Sequence, residues 1–500
     1  MSEIRQAFRK KGGYFCINTK RTRTMTRKTF PFFMAALLLA ACSSVKPSFE
    51  TATAITEVFG DGQQVTAVAL HFNVPMDGTL LTPEQFSVVE LVPPELRQHG
   101  REPLTETVRE NRTVARVYTN TLAQMTSAPE AGPWVILELE KTYHYLPSFG
   151  GAPRGNQPQG ERKGPQGRPQ GGPQGGGPQH RAMPGKAEIV AAYQGVTSIA
   201  PFAAEVTFNG ELVSAKGKKV AVPAEPVVST ETVNLIVDDF VQREYQDEAT
   251  GIPMAYNLFI PKDYDPSVKY PLVLFMPDAT VTGKETTRTL TQGIGATIWA
   301  SPAEQAKHPS FVLAPDYTQQ IINDNWETNE YLDATVNLIH KLCGEYSIDT
   351  DRMYTTGQSG GCMLSFAIDH YYPDLFAASL LMAGKWDNKR VSNFVNDKMW
   401  MLCGEGDLGA LPSMTGICAE LRKLGVKVSE AQWNGRVSAE EFDRLCKEMD
   451  AEGADIRFTH FIQYSVFPDD THLDGMEHLQ TWRLTYAIEG VRDWLFRQSK

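Results

Sequence analysis

In the second half of the chain a strand-like run, Met353-Tyr-Thr355, and a helix-like run, Cys362 to Tyr371, are separated only by Thr356-Gly-Gln-Ser-Gly-Gly361. The pattern Gly357-x-Ser359-x-Gly361 therefore falls on a strand-to-helix junction, and few features restrict a fold more. A backbone that changes direction and dihedral class within so few residues must turn sharply. Glycines on either side of the serine let neighbouring segments approach where a Cβ would clash. Such a turn lifts the serine hydroxyl clear of the sheet and points the first N–H groups of the helix at the space before it. A glycine-rich turn that merely contains a serine is the alternative reading. The strand before and the helix after favour a reactive serine.

The segments around this junction set the fold class. From about Val233 onward, Tyr256-Asn-Leu-Phe-Ile260, Tyr270 to Phe275, Phe311 to Ala314, Met353 to Thr355, Ala378 to Met382, Met399 to Leu402 and Arg457 to Ile462 read as strands. Helical patterns intervene, notably Tyr331 to Tyr346 and His478 to Arg497. This βα alternation predicts a mostly parallel sheet with helices on both faces over residues 233–500. In such sheets ligand chemistry belongs at the carboxyl ends of the strands, where Ser359 falls. Residues 47–230 read differently. Val65 to Asn73, Phe86 to Val92, Thr113 to Tyr118, Trp134 to Glu140, Ala187 to Tyr193 and Ala204 to Phe208 are short, mostly alternating and separated by turn residues, which predicts an all-β sandwich of immunoglobulin type. The stretch 150–185 is dominated by Gly, Pro and Gln, carries five Arg or Lys against one Glu, and holds almost nothing to bury. It is expected to be a disordered basic loop. Contact with acidic envelope polymers is its second reading.

Five hundred residues exceed one ordinary core, in line with two domains. A formal charge of −11 argues against a nucleic-acid partner, which needs clustered Lys and Arg. At the N-terminus, Arg21, Arg23, Arg27 and Lys28 precede the apolar run Phe30 to Ala41, too short for a stable membrane-spanning helix but suited to a secretory signal. Leu39-Ala40-Ala41-Cys42 resembles the bacterial lipobox, which implies cleavage before Cys42 and a lipid on its thiol. Residues 1–42 are thus read as an upstream segment plus signal, with Met25 as the expected start. The protein is expected at the bacterial cell envelope, attached to membrane through that lipid. The seven cysteines include no CxxC pair and fit neither a metal site nor a dense disulfide framework. No cofactor or metal is expected. One disulfide is compatible with an oxidising compartment.

A serine hydroxyl needs a base, and the base an orienting acid. The junction resembles that of the α/β-hydrolases, which implies that the acid and then the histidine follow the serine along the chain. Asp407 follows the strand Met399 to Leu402 through Cys403-Gly-Glu-Gly and is the favoured acid, with Glu405 its local competitor; Asp387 comes too soon after the serine. His478, after the final strand and before the last amphipathic helix, is favoured as base over His472. His460 lies within a strand pattern, and His308 and His340 precede the serine. Trp326 and Trp386 fit either a pocket wall or the core.

Taken together, Tyr256 to Pro261, Tyr270 to Phe275, Phe311 to Pro315, Tyr346 to Tyr354, Gly357 to Gly361 and Tyr372-Pro-Asp-Leu-Phe-Ala-Ala378 resemble the polyhydroxybutyrate-depolymerase and feruloyl-esterase-like branch of the α/β-hydrolases. The β-rich region resembles the immunoglobulin-like N-terminal domain of some bacterial esterases. The resemblance implies an α/β-hydrolase with acyl-serine chemistry on carboxylic esters, with Ser359, Asp407 and His478 at the triad positions; the expected surface location makes polymer-linked esters candidate substrates, though no residue selects among them. The resemblance also exposes a departure. Such proteins usually carry His-Gly after the strand that ends at Phe275, whereas Met276-Pro277-Asp278-Ala279 stands here. Pro277 has no N–H, so the oxyanion donors are expected to be Gly360 together with Asp278, Ala279 or a later amide. A prolyl-oligopeptidase-like peptidase and a catalytically silent envelope glycan-binding protein are the rival readings. No blade repeat supports the first; the altered loop favours the second.

Overall fold

In the computed structural model, which describes residues 46–93, 106–142 and 183–500, the β-rich region forms two sheets around one apolar core. Its strands are β1 (Phe49–Phe59), β2 (Gly62–Phe72), β3 (Phe86–Val92), β4 (Val108–Arg112), β5 (Val114–Asn120), β6 (Trp134–Leu139), β7 (Ala203–Phe208), β8 (Val227–Val228) and β9 (Glu231–Asn234). The first sheet runs β5-β6-β2-β1-β9 and the second β4-β3-β7-β8. Period-two burial, clearest in β3, turns Phe86 and Val88 inward to meet Ala54, Val68 and Leu70 of the facing sheet. Glu90 pins the sheets together: it pairs with buried Arg112 and accepts the Val65 N–H at 2.8 Å. Cys42 and the signal segment lie outside the described residues, as does all but the end of the 150–185 stretch.

Within this β-rich region one of the segments read as strands is helical. Ala187 to Tyr193, read as a strand, belongs to helix α1 (Lys186–Ala192), where Ile189 is the buried side chain. A strand there would have had to bury every second residue, and this exposed, alanine-rich segment has a single anchor to offer.

The second sheet system has nine strands, β10 (Val241–Gln246), β11 (Pro253–Phe259), β12 (Tyr270–Met276), β13 (Phe311–Pro315), β14 (Ile348–Gln358), β15 (Ala378–Met382), β16 (Met399–Gly404), β17 (Val428–Trp433) and β18 (Ile456–Phe461), in the order β10-β11-β13-β12-β14-β15-β16-β18-β17. From β13 to β17 every pairing is parallel, while β10 and β11 are antiparallel. Strands β11, β13, β15 and β16 are buried at every residue, the pattern of strands covered on both faces. The short helices α2 (Arg288–Thr291), α3 (Thr297–Ala300) and α4 (Pro302–Lys307) follow β12. Longer ones complete the alternation: α5 (Glu330–Glu345), α6 (Gly360–Tyr371), α7 (Ala410–Lys423), α8 (Ala439–Glu452), α9 (Glu477–Ala487) and α10 (Glu489–Phe496). The segment His478 to Arg497, read as one helix, is two, divided at Ile488.

The two sheet systems share core and backbone contacts, and residues Lys46–Lys500 form one compact unit. Val58 of β1 and Ile189 of α1 are buried in the same apolar cluster as the nine-stranded sheet. Thr197 and Thr286 exchange N–H to Oγ1 hydrogen bonds at 3.1 and 3.2 Å, and the Ile199 N–H donates to Thr287 Oγ1 at 3.1 Å. A Cβ at Gly60, in the β1–β2 turn, would lie 2.0 Å from Cγ of Arg483 on α9. The cysteines at 343, 362, 403, 418 and 446 are all unbridged, and all but Cys343 are buried. Among the described residues no helix is long and apolar enough to cross a membrane.

Candidate active site

Strand β14 lies fifth of the nine and ends at Gln358; α6 begins at Gly360. Ser359 between them has φ 52° and ψ −117°, a conformation L-residues rarely adopt. Its N–H donates to the Met382 carbonyl at 3.0 Å. The glycines of the motif are required sterically: a Cβ at Gly357 would lie 2.4 Å from the Gly361 carbonyl carbon, and one at Gly361 only 2.0 Å from the Met276 oxygen. The motif therefore clamps the turn of the serine against the end of β12.

Three side chains, two from loops that follow strands and one from the start of α9, converge here. His478 Nε2 is 2.9 Å from Ser359 Oγ, and His478 Nδ1 is 2.5 Å from Asp407 Oδ2. Asp407 follows β16, and its Oδ1 accepts the N–H groups of Gly409 at 3.0 Å and Ala410 at 2.9 Å. Burial opposes its charge, but the His478 hydrogen bond and charge and these two amides outweigh burial and hold the carboxyl below its ordinary range. His478 stands inside the first turn of α9 rather than before the helix, with its ring edge-on to Trp482 at 5.4 Å. The competitors are engaged elsewhere. Glu405 lies 2.9 Å from His460 Nδ1, His472 stacks on Tyr464, and Asp387 accepts the Lys389 N–H.

The residues expected to supply oxyanion donors differ in how their N–H groups are engaged. The Asp278 N–H is turned to Gln292 Oε1 at 3.3 Å, so Asp278 is not a donor toward the serine. Its buried carboxylate instead accepts the Thr280 N–H at 2.6 Å. The N–H groups of Val281 and Thr282 close turns onto the carbonyls of Asp278 and Ala279. Among the described residues the Ala279 N–H alone in this turn has no protein acceptor, and its nitrogen would lie 3.1 Å from a Cβ at Gly360. Gly360, first residue of α6, supplies an N–H with no partner inside the helix. The turn after Pro277 thus leaves an N–H without a protein acceptor on Ala279, one residue beyond Asp278.

These groups face a cavity of about 370 Å³. Tyr317, Ile321, Ile322, Met363 and Leu364 supply apolar wall, while Lys385 and Asp324 pair across the rim at 2.7 Å. Neither tryptophan lines it: Trp386 is buried against Phe366, and Trp326 packs against the core. One supporting residue escaped the sequence reading although it adjoins His478. Buried Glu477 accepts the N–H of Gly406 at 2.8 Å and of Tyr464 at 3.0 Å, tying the loops after β16 and β18 to α9. Burial pushes its carboxyl above the ordinary range against those two amides. Outside the cavity, Glu304, His308 and Asp493 lie close enough to share a cation, but Arg492 already pairs with Glu304 at 2.7 Å and His308 with Asp493 at 3.1 Å.

Residues 51–167 match the family model of the esterase Ig-like N-terminal domain. No curated protein sequence matches the chain. Among solved structures, a thermostable esterase is similar over 90% of this chain and 100% of its own, with 24% identity and a TM-score of 0.65. A feruloyl esterase module from Clostridium thermocellum, complexed with sinapinate, covers 50% of this chain and 88% of its own at 12% identity and a TM-score of 0.35. The fold is that of an α/β-hydrolase preceded by an immunoglobulin-like β domain.

Proposed function

We propose that the protein is a serine carboxylic-ester hydrolase working through an acyl-serine intermediate. The observation that carries this reading is the unbroken relay from Ser359 through His478 to Asp407, opening onto a cavity beside two unpaired amides. His478 Nε2 takes the proton as Ser359 Oγ attacks the ester carbonyl, and Asp407 holds the Nδ1–H tautomer and offsets the imidazolium charge. The Ala279 and Gly360 N–H groups receive the negative charge that grows on the carbonyl oxygen. One such donor is worth about a hundredfold or more in rate. Collapse expels the alcohol with the proton from His478, and water attacking by the same route frees Ser359. We further propose that the substrate ester is polymer-linked and that the protein acts at the cell envelope, held by lipid on Cys42; the basic n-region, apolar run and lipobox-like sequence support the location.

The deciding experiment compares p-nitrophenyl ester turnover and fluorophosphonate labelling in the wild type and Ser359→Ala. Labelling at Ser359 and turnover lost with the substitution are expected. A folded wild type that neither turns over short esters nor takes up the probe would sink the enzymatic reading and bring the glycan-binding one forward. Equal activity on matched amides would point to a peptidase. Radiolabelled palmitate incorporated by wild type but not Cys42→Ala tests the anchor, and release of hydroxycinnamates or acetate from wall polymers tests the substrate class.

A further inference from the structure

The first variable position of the Gly-x-Ser-x-Gly motif is Gln358, whose side chain is buried away from the cavity lining, at 1% exposure. Gln358 Nε2 donates to Asp278 Oδ2 at 3.3 Å and to Gln292 Oε1 at 3.2 Å. Gln292 Oε1 in turn accepts the Asp278 N–H, while Gln292 Nε2 donates to the Thr289 carbonyl at 3.2 Å. Asp278 completes the ring by holding the Thr280 N–H. Three side chains from β14, the β12 loop and the end of α2 are thus joined in a closed, buried polar ring.

The consequence lies in what the ring leaves over. It claims the amides on both sides of Ala279 and none of its own, so restraints on either neighbour hold the Ala279 nitrogen beside Gly360. A buried carboxylate beside an oxyanion would normally oppose charge build-up. Here the Thr280 N–H and the Gln358 side-chain N–H donate to the carboxylate from behind the turn, so its oxygens are engaged away from the serine. Where a His-Gly sequence is absent, a Pro-Asp-Ala turn needs some other means of fixing its amide, and the ring supplies it.

We infer that Gln358, Gln292 and Asp278 are positioning residues that fix the Ala279 N–H as an oxyanion donor. The inference rests on the serine-esterase reading for its catalytic consequence, not for its structural content. Gln358→Met keeps the volume and removes both donated bonds. Because loss of one oxyanion donor costs on the order of 10²–10³ in rate, a displaced donor is expected to lower kcat about 10- to 100-fold. KM is expected to stay within about twofold, since ground-state contacts are untouched, and an aryl boronate, whose tetrahedral adduct carries the oxyanion, should weaken in step with kcat. Asp278→Asn, which keeps the cap on Thr280, is expected to retain several-fold more activity than Asp278→Ala. Gln292→Met repeats the test from the other side of the ring if Gln358→Met does not fold.

Amide hydrogen exchange over residues 277–284 reads the ring without turnover. Faster exchange in Gln358→Met than in wild type supports it. Unchanged exchange, or kcat and boronate affinity both within twofold of wild type, overturns it. Failure of the esterase reading is seen separately, as a wild type that the fluorophosphonate does not label.

Discussion

Ser359 occupies a backbone conformation that glycine would adopt at far less cost, held there by its N–H bond to Met382 and by the packing of Gly361 against β12. Strain of this kind costs about 1–3 kcal/mol and is retained where chemistry needs it. Ser359→Gly is therefore expected to stabilise the fold by about 1 kcal/mol after glycine's own entropy cost while abolishing turnover, with urea midpoints and ester assays as the readout. A neutral or destabilising result would mean the turn is relaxed. Asp316 offers a pH-dependent test. Burial, opposed by the Thr286 hydroxyl and the Tyr317 amide, raises its carboxyl to about 6. A raised folded-state pKa favours the protonated form, so this contribution is complete below the unfolded value near 3.8 and is lost as pH rises through about 6. The loss is on the order of 2–3 kcal/mol. Asp316→Asn should thus gain stability relative to wild type at pH 8 and little at pH 4.5, measured by denaturant titration at both.

Asp407 could be picked out in the sequence because it follows β16, a buried parallel strand that reads as a continuous apolar run, whereas Ser359 stood out through the glycine spacing of its turn, since the strand before it is largely polar. Edge strand β17 was not legible, since Val428-Ser-Glu-Ala-Gln-Trp433 is half-exposed and mostly polar. Nor was the positioning ring, whose members are 14, 66 and 80 residues apart and whose bonds depend on register between loops. The loops also carry the cavity rim. Lys385 follows Ala383, and Asp324 precedes Trp326, both non-glycine residues at positive φ, so the ion pair joins two constrained turns. The pair is exposed and adds little stability. Asp324→Asn instead leaves an unpaired ammonium at the mouth. It is expected to lower KM for esters bearing a free carboxylate several-fold relative to neutral ones, an effect that fades in about 0.5 M salt. Equal KM changes for both ester types would show that Lys385 does not meet the substrate. At the elbow, Gly361→Ala must displace Met276 and is expected to lose activity together with more than about 3 kcal/mol of stability, read by calorimetry and assay.

At the scale of the whole molecule, alternation of strands and helices was enough to separate an α/β sheet from a β domain, but not to show how closely they are joined. The β1–β2 turn meets α9 at Arg483, on the helix that carries His478, and Thr197 and Ile199 bond to the segment that leads into Gln292. That union rests on a close backbone approach at Gly60, which no pattern of apolar residues reveals. With Val58 and Ile189 in the larger core, unfolding is expected to be a single calorimetric transition rather than two. Gly60→Ala should lower its midpoint by several degrees and reduce kcat. Separate transitions for the two sheet systems would show that the contact is not cooperative.

The unbridged cysteines carry a last implication. None of the five thiols among the described residues is joined to another, and four lie beyond the reach of solvent. If the chain is exported, the folding of this part makes no call on a thiol oxidase. Its melting temperature should be the same in dithiothreitol as in air, and cells lacking a disulfide-forming pathway should accumulate it undiminished.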